Sequence, residues 1–279
     1  MKTLFDTVSY HCSKIVTKTY STSFSLATKM LYKSIRSDIY NIYGFVRFAD
    51  EIVDSFHDYN KEELFNRFSA DLEHALKDKI SLNPILNSFQ YTYHKYNIDK
   101  SLVDAFMKSM QLDLHKTTYL TDEEYKDYIY GSADVVGLMC LKVFVKGNTD
   151  KYNELKDTAM ALGSAFQKVN FLRDLEADFD GLNRSYFPNV NLNNLDEASK
   201  TQIINDIEHD FEKGLSGIKK LPIEAKFGVF MAYRYYSQLL KKLKKTPALQ
   251  IRSARIRVSN PKKVELLMRS YVKYQLNLM

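Results

Sequence analysis

Apolar residues recur along most of this chain at three- and four-residue intervals, the spacing of one helix face. Nowhere do polar and apolar positions alternate cleanly enough to read as a strand. The helical pattern starts near Asp6 and breaks at Ser21-Thr22-Ser23-Phe24-Ser25, where clustered hydroxyls favour a turn or a cap. Residues 36–57 read as one helix. Leu64, Phe68, Leu72 and Leu76 place another over 61–79. Further helices are predicted over 84–95, 99–117, 122–145 and 150–179, the last ended by Gly181-Leu182-Asn183 as a C-cap. Residues 182–194, with Pro188 and several asparagines, read as loop. Helices follow over 196–218, 222–244 and 260–277, and Pro222 sits at a helix start, where its missing donor costs nothing. The expectation is an all-α bundle of about eight to ten helices, one domain over residues 1–279.

Composition agrees. Glycine (9) and proline (5) are scarce, the first proline is Pro84, and 45% hydrophobic residues suffice for a large core. The formal charge of +6 is mildly basic, which suits a diphosphate, an anionic membrane surface or nucleic acid. Only Lys241, Lys242, Lys244 and Lys245 form a run, read first as a solvated helix end and alternatively as a lipid-headgroup contact. Cys12 and Cys140 are too few for a disulfide framework or a zinc site. The N-terminal residues lack a signal-peptide core. The most apolar run, Val135 to Val145, is too short to cross a bilayer and carries Lys142. These features predict a cytoplasmic protein, soluble or peripheral at the inner face of a membrane.

The chemistry concentrates in two places. Asp50 and Asp54 are one turn apart and share a helix face. Asn170, Asp174 and Asp178 repeat that spacing twice, lining a stripe of oxygen donors suited to Mg²⁺. One aspartate pair is weak evidence, since surface helices often carry such pairs. Here the neighbours Ile42, Phe45, Val46, Phe48, Ala49, Ile52 and Val53 make the helix apolar all round, as Ala165, Phe166, Val169, Phe171 and Leu172 do for the second. Carboxylates on a buried helix need a counter-charge. A metal cluster between facing helices supplies one. Ion pairs with Arg47 and Arg173 are the purely structural alternative. Arg47 is also placed to grip phosphate bidentately, and Arg184 could fold back over the same cleft. The 20 tyrosines and 17 phenylalanines fill a core by default, but aromatic faces also stabilise carbocations. No phosphate-binding loop, dinucleotide fingerprint or nucleophile elbow occurs.

These residues resemble the squalene/phytoene synthase family. Tyr43-Gly44-Phe45-Val46-Arg47-Phe48-Ala49-Asp50-Glu51-Ile52-Val53-Asp54 is similar to its first aspartate motif, and Gln167 to Asp178 to its second. Arg184-Ser185-Tyr186-Phe187-Pro188, Tyr128-Ile129-Tyr130-Gly131 with Val136-Gly137, and Tyr20-Ser21-Thr22-Ser23-Phe24 resemble three further segments, all in family order over about residues 12–265. The resemblance implies an isoprenoid-synthase fold with a central cavity, whose mouth holds about three Mg²⁺ ions (or Mn²⁺) and two allylic prenyl diphosphates. It makes Asp50, Asp54, Asn170, Asp174 and Asp178 metal ligands. Ser21, Tyr43, Arg47, Tyr128, Gln167, Arg184, Tyr186, Tyr236 and Arg255 become substrate-site positions, with Asp50, Asp54, Arg47, Tyr128, Asp174 and Asp178 carrying catalysis. Two departures are Tyr20, where some relatives have histidine, and Asp134, where small apolar residues are common, which leaves the cavity shape there open.

The implied reaction is head-to-head coupling through a cyclopropylmethyl diphosphate. Ser132, Ala133, Val136, Gly137, Leu138 and Met139 resemble the phytoene branch, and no nucleotide motif suggests NADPH. The expectation is phytoene from two C20 geranylgeranyl diphosphates, by a monomer or weak dimer that binds no nucleic acid. Alternatives are dehydrosqualene or squalene from C15 farnesyl diphosphate, a Mg²⁺-dependent diphosphate hydrolase, and a catalytically inactive helical assembly factor.

Overall fold

Thirteen α-helices and one π-helical turn make up nearly all of the described chain in a computed structural model that describes residues 1–175, 186–188, 195–251 and 256–276. In order they are α1 (Lys2–Tyr20), α2 (Thr22–Lys29), α3 (Lys33–Ser55), α4 (Lys61–Asp78), α5 (Pro84–Lys95), α6 (Lys100–Leu112) and α7 (Asp122–Ile129). The π turn (Tyr130–Asp134) follows, then α8 (Val135–Phe144), α9 (Thr149–Arg173), α10 (Glu197–Lys220), α11 (Ile223–Lys245), α12 (Ala248–Ile251) and α13 (Asn260–Gln275).

Helix starts follow local chemistry. Side-chain oxygens of Asn60, Asn83, Thr121, Asn148 and Asp196 accept backbone N–H bonds at the starts of α4, α5, α7, α9 and α10. Ser21 does the same for α2, accepting from the Phe24 N–H at 3.2 Å. The hydroxyl cluster is therefore a one-residue break with a cap, and Ser23 and Ser25 continue as helix.

Three expectations need correction. Residues 122–145 are not one helix: they bend through the π turn, where Gly131 lets the backbone approach Ser109 of α6 (an added Cβ would lie 2.8 Å from its Cβ). The helix count exceeds ten, because Ser21 splits one segment, the π turn splits another, and the short α12 carried no periodic signal. The helix predicted over 150–179 ends as α9 at Arg173, and Asp174, its C-cap, leaves helical geometry, so the stripe from Asn170 is broken there. The predicted C-cap at Gly181 lies outside the described residues.

The core is aromatic at its centre. Phe45 of α3 stacks on Phe89 of α5 at 4.0 Å and meets Phe106 of α6 edge-on at 5.4 Å, all fully buried. Burying each such ring contributes roughly 1.5–3 kcal/mol. Lys142, the charge in the apolar run, is buried but pairs with Asp99 at 3.0 Å and covers the Tyr152 ring. Among the described residues no helix is long and apolar enough to cross a membrane. The lysines of 241–245 end α11 in exposed positions, with Lys244 paired to Glu208 and Lys242 donating to the Arg257 carbonyl, as a solvated helix end would.

Candidate functional site

Helices α2, α3, α8, α9, α10 and α11, with the π turn, enclose an apolar cavity of about 320 Å³. Along α9 its lining runs from Leu155 through Ala159, Leu162 and Phe166 to Gln167 and Asn170, about 22 Å of helix axis at 1.5 Å per residue. Two glycines make its α8–α9 wall thin. A Cβ on Gly137 would lie 3.0 Å from the Ala159 carbonyl oxygen, and one on Gly163 would lie 2.9 Å from that of Ala133. Side chains therefore leave the space open where backbones meet. Cys140 also lines it, its thiol pushed up to about 12 by burial, an inert group.

One end of the cavity is polar. Tyr43 of α3, Gln167 and Asn170 of α9 and Tyr236 of α11 line it together, and the Tyr236 hydroxyl donates to Asn170 Oδ1 at 3.3 Å. Tyr43 stacks on Phe24 at 4.7 Å, Tyr236 on Phe166 at 4.2 Å. Burial drives the Tyr43 hydroxyl up to about 12, with a hydrogen bond from Ser21 and the nearby Arg47 acting the other way. One turn further along α3, Arg47 bonds Asp50 and Glu51 and lies over the Tyr20 ring at 4.4 Å. Its Nε is buried without a partner among the described residues. At the end of α9, Asp174 pairs with Arg173.

The ion pairs of the structural alternative thus exist, Arg173 with Asp174 and Arg47 with the partly exposed Asp50. Its carboxyl is pushed up to about 7, first by burial and next by the charge of Asp54, against the pull of Arg47. Asp113 adds to that push. Asp113 was not singled out in the sequence. It is buried and accepts from Tyr128 at 2.8 Å and Tyr119 at 3.4 Å. Its signal was only a carboxylate between Leu112 and Leu114, which reads as a solvated helix end. Tyr128 and Tyr186 do not line the cavity: they stack at 5.5 Å in an aromatic cluster with Phe171 and Tyr119, behind Asp113. Ser21, Tyr43, Arg47, Gln167, Asn170 and Tyr236 come together at the polar end. Asp178, Arg184 and Arg255 lie outside the described residues.

Asp134 is absent from the cavity lining. Its carboxylate accepts from Ser164 at 2.7 Å, so a charge where small apolar residues are common leaves the cavity wall to Ala133 and Gly137. Burial pushes it up to about 7.

Among the described residues no three His, Cys, Asp or Glu side chains gather closely enough to hold a metal ion. The donor chemistry nevertheless fits a hard divalent cation. Asp50 and Asp54 are adjacent carboxylates whose mutual repulsion already lifts Asp50, and an added positive charge relieves it.

Comparison with known proteins points one way. The pattern of the squalene/phytoene synthase family matches residues 17–262. A 4,4'-diapophytoene synthase of Staphylococcus haemolyticus (strain JCSC1435) is 29% identical over 211 residues, 75% of this chain and 70% of that protein. A 15-cis-phytoene synthase of Enterobacter agglomerans is 24% identical over 270 residues, 88% of this chain and 90% of that one. The crystal structure of a dehydrosqualene synthase in complex with ligand superposes with a TM-score of 0.81 at 19% identity, covering 97% of this chain and 98% of that one.

Proposed function

Because the chain belongs to the squalene/phytoene synthase family, whose reaction is head-to-head condensation of prenyl diphosphates, we propose that it makes phytoene from two C20 geranylgeranyl diphosphates in carotenoid biosynthesis. The cavity beside α9 carries the chain-length reading. Carbon–carbon bonds of about 1.5 Å advance an extended chain by roughly 5 Å per isoprenyl unit, so C15 needs about 15 Å and C20 about 20 Å. Some 22 Å of lining along α9 matches the longer chain when the polar turn at Gln167 and Asn170 is included, the apolar stretch from Leu155 to Phe166 being about 16.5 Å.

In this reading Asp50, Asp54, Asn170, Asp174 and Asp178 hold Mg²⁺, or Mn²⁺ in its place. The metal supplies positive charge that stabilises a leaving diphosphate. Arg47, with Arg184 and Arg255, binds diphosphate oxygens through guanidinium forks. Arg47 would exchange its bonds to Asp50 and Glu51 for diphosphate oxygens while its guanidinium stays over the Tyr20 ring. The donor's C1–O bond breaks and diphosphate leaves with the electron pair. The acceptor's double bond attacks the allylic cation, and loss of one proton closes the cyclopropane of prephytoene diphosphate. A second ionisation, rearrangement and proton loss give the 1–1′ product. Two diphosphates and two protons leave, so the electrons balance without NADPH. Phe24, Tyr43, Phe166 and Tyr236 present ring faces to the cation, and the apolar wall keeps water from it. Ser21, Tyr43, Tyr128, Gln167, Tyr186 and Tyr236 position the substrates, and Tyr128 acts in catalysis from beside Asp113. The domain is one unit over residues 1–279.

The relative named 4,4'-diapophytoene synthase favours a second reading, dehydrosqualene from two C15 farnesyl diphosphates. Purified protein given Mg²⁺ and either diphosphate, without NADPH, distinguishes them. We expect a C40 hydrocarbon from the C20 substrate. Turnover of C15 alone defeats the phytoene reading, and no hydrocarbon from either, with folded protein, defeats the synthase reading.

A further inference from the structure

α13 covers the seam between α2 and α11. Leu266 packs with Ala27 of α2 and with Phe227, Met231 and Tyr235 of α11, and Lys263 donates to Thr22 at 3.0 Å. The opposite side of α13 is mostly apolar and uncovered, with Glu265 and Gln275 the polar side chains inside its arc. Val264, Met268, Tyr271, Val272 and, just past the helix end, Leu276 are 50 to 63% exposed. At 3.6 residues per turn they occupy about 140° of arc. Lys262, Arg269 and Lys273 fall together along one border of that stripe. The carboxylate of α13, Glu265, pairs with Lys262 at 2.8 Å and Arg269 at 3.0 Å, leaving the border net positive. Tyr271 meets Phe227 edge-on at 5.9 Å and is half exposed, an amphipathic ring at the rim of the stripe.

We propose that this face of α13 is a lipid-docking surface that lies in the headgroup region of an anionic bilayer. The apolar stripe would enter the acyl boundary while the three cations meet phosphate groups, the arrangement of an interfacial helix. An antiparallel second copy of the same face would set one basic border against another, which charge disfavours. The placement also serves the cavity. α2 and α11 line it through Ala27, Thr28, Gly228 and Ala232, so α13 holds the cavity wall alongside the hydrocarbon in which long prenyl chains dissolve.

Vesicle co-sedimentation tests this independently of any catalytic reading. The wild-type chain should bind vesicles containing phosphatidylglycerol at least tenfold more strongly than pure phosphatidylcholine vesicles, and less as salt rises. Met268→Asp with Val272→Asp should lower binding at least tenfold, without loss of helical circular dichroism, since both positions are exposed. Arg269→Glu with Lys273→Glu should erase the preference for phosphatidylglycerol. Leu82→Asp, an exposed apolar position between α4 and α5, should bind as wild type does. The proposal is overturned if the wild type ignores phosphatidylglycerol vesicles, if the α13 variants bind like wild type, or if Leu82→Asp loses as much. A concentration-dependent dimer that Met268→Asp dissociates would assign the face to a second copy and overturn it as well.

Discussion

Asp50 shows how one side chain serves two opposing demands. Its carboxyl is lifted to about 7 by burial and by Asp54, against Arg47. A carboxyl raised above its unfolded value of about 4 makes the fold most stable when protonated, so stability falls as pH rises through that window and the cost is complete above about 7. Asp134, also lifted to about 7, has the same sign. The metal-free protein should therefore lose Tm between about pH 4 and 7. Asp50→Asn and Asp134→Asn should each flatten that fall, and an unchanged slope in both counts against the burial argument. In assay with Mg²⁺, Asp50→Asn should lower turnover by about 10²–10³, the scale of removing one preorganised electrostatic contact, with the helical spectrum intact. Asp50 was legible because its partner sits four residues away in an apolar segment. Asp113 was not, because what makes it matter is the approach of Tyr128 and Tyr119 from across a turn of chain.

At the scale of elements, the helices and the break at Ser21 were legible, and the π turn between α7 and α8 was not. The segments predicted over 61–79 and 84–95 match α4 and α5 to within a residue, since periodic apolar faces and asparagine caps are local signals. The π turn is set by the contact of Gly131 with α6, which no local pattern records. The α8–α9 contact yields two predictions. Gly163→Val forces a side chain against the Ala133 carbonyl and should destabilise the protein by about 1–3 kcal/mol, read as a lowered urea midpoint with unchanged m-value. Ala159→Phe fills the cavity about 17 Å along α9 from Asn170. It should cut turnover of the C20 substrate by about a hundredfold while sparing C15, and equal losses on both would count against α9 as the measure of chain length.

For the whole molecule, Asp50 and Asp54 sit on α3, Asn170 sits on α9 and Asp174 is its C-cap, and Tyr43 of α3, Asn170 of α9 and Tyr236 of α11 line the polar end of the cavity together. A metal bound between the two aspartate motifs ties α3 and α9 together. Saturating Mg²⁺ at about a hundred times Kd should stabilise the fold by about 2.7 kcal/mol, a Tm rise of a few degrees. Asp50→Asn or Asp174→Asn should remove most of that rise, and an undiminished rise in both variants would show the metal binding elsewhere. The sequence by itself determined the helical class, the family and the placing of Asp50 and Asp54 one turn apart on α3, because periodicity and motif spacing are short-range properties of the chain. Only the tertiary structure decided that Arg47 is shared between Asp50, Glu51 and Tyr20, that Tyr128 and Tyr186 stand behind Asp113 and off the cavity wall, and that Asp134 is turned toward Ser164. Those outcomes depend on which helices pack together and how closely, and that is set by long-range burial that no stretch of neighbouring residues encodes.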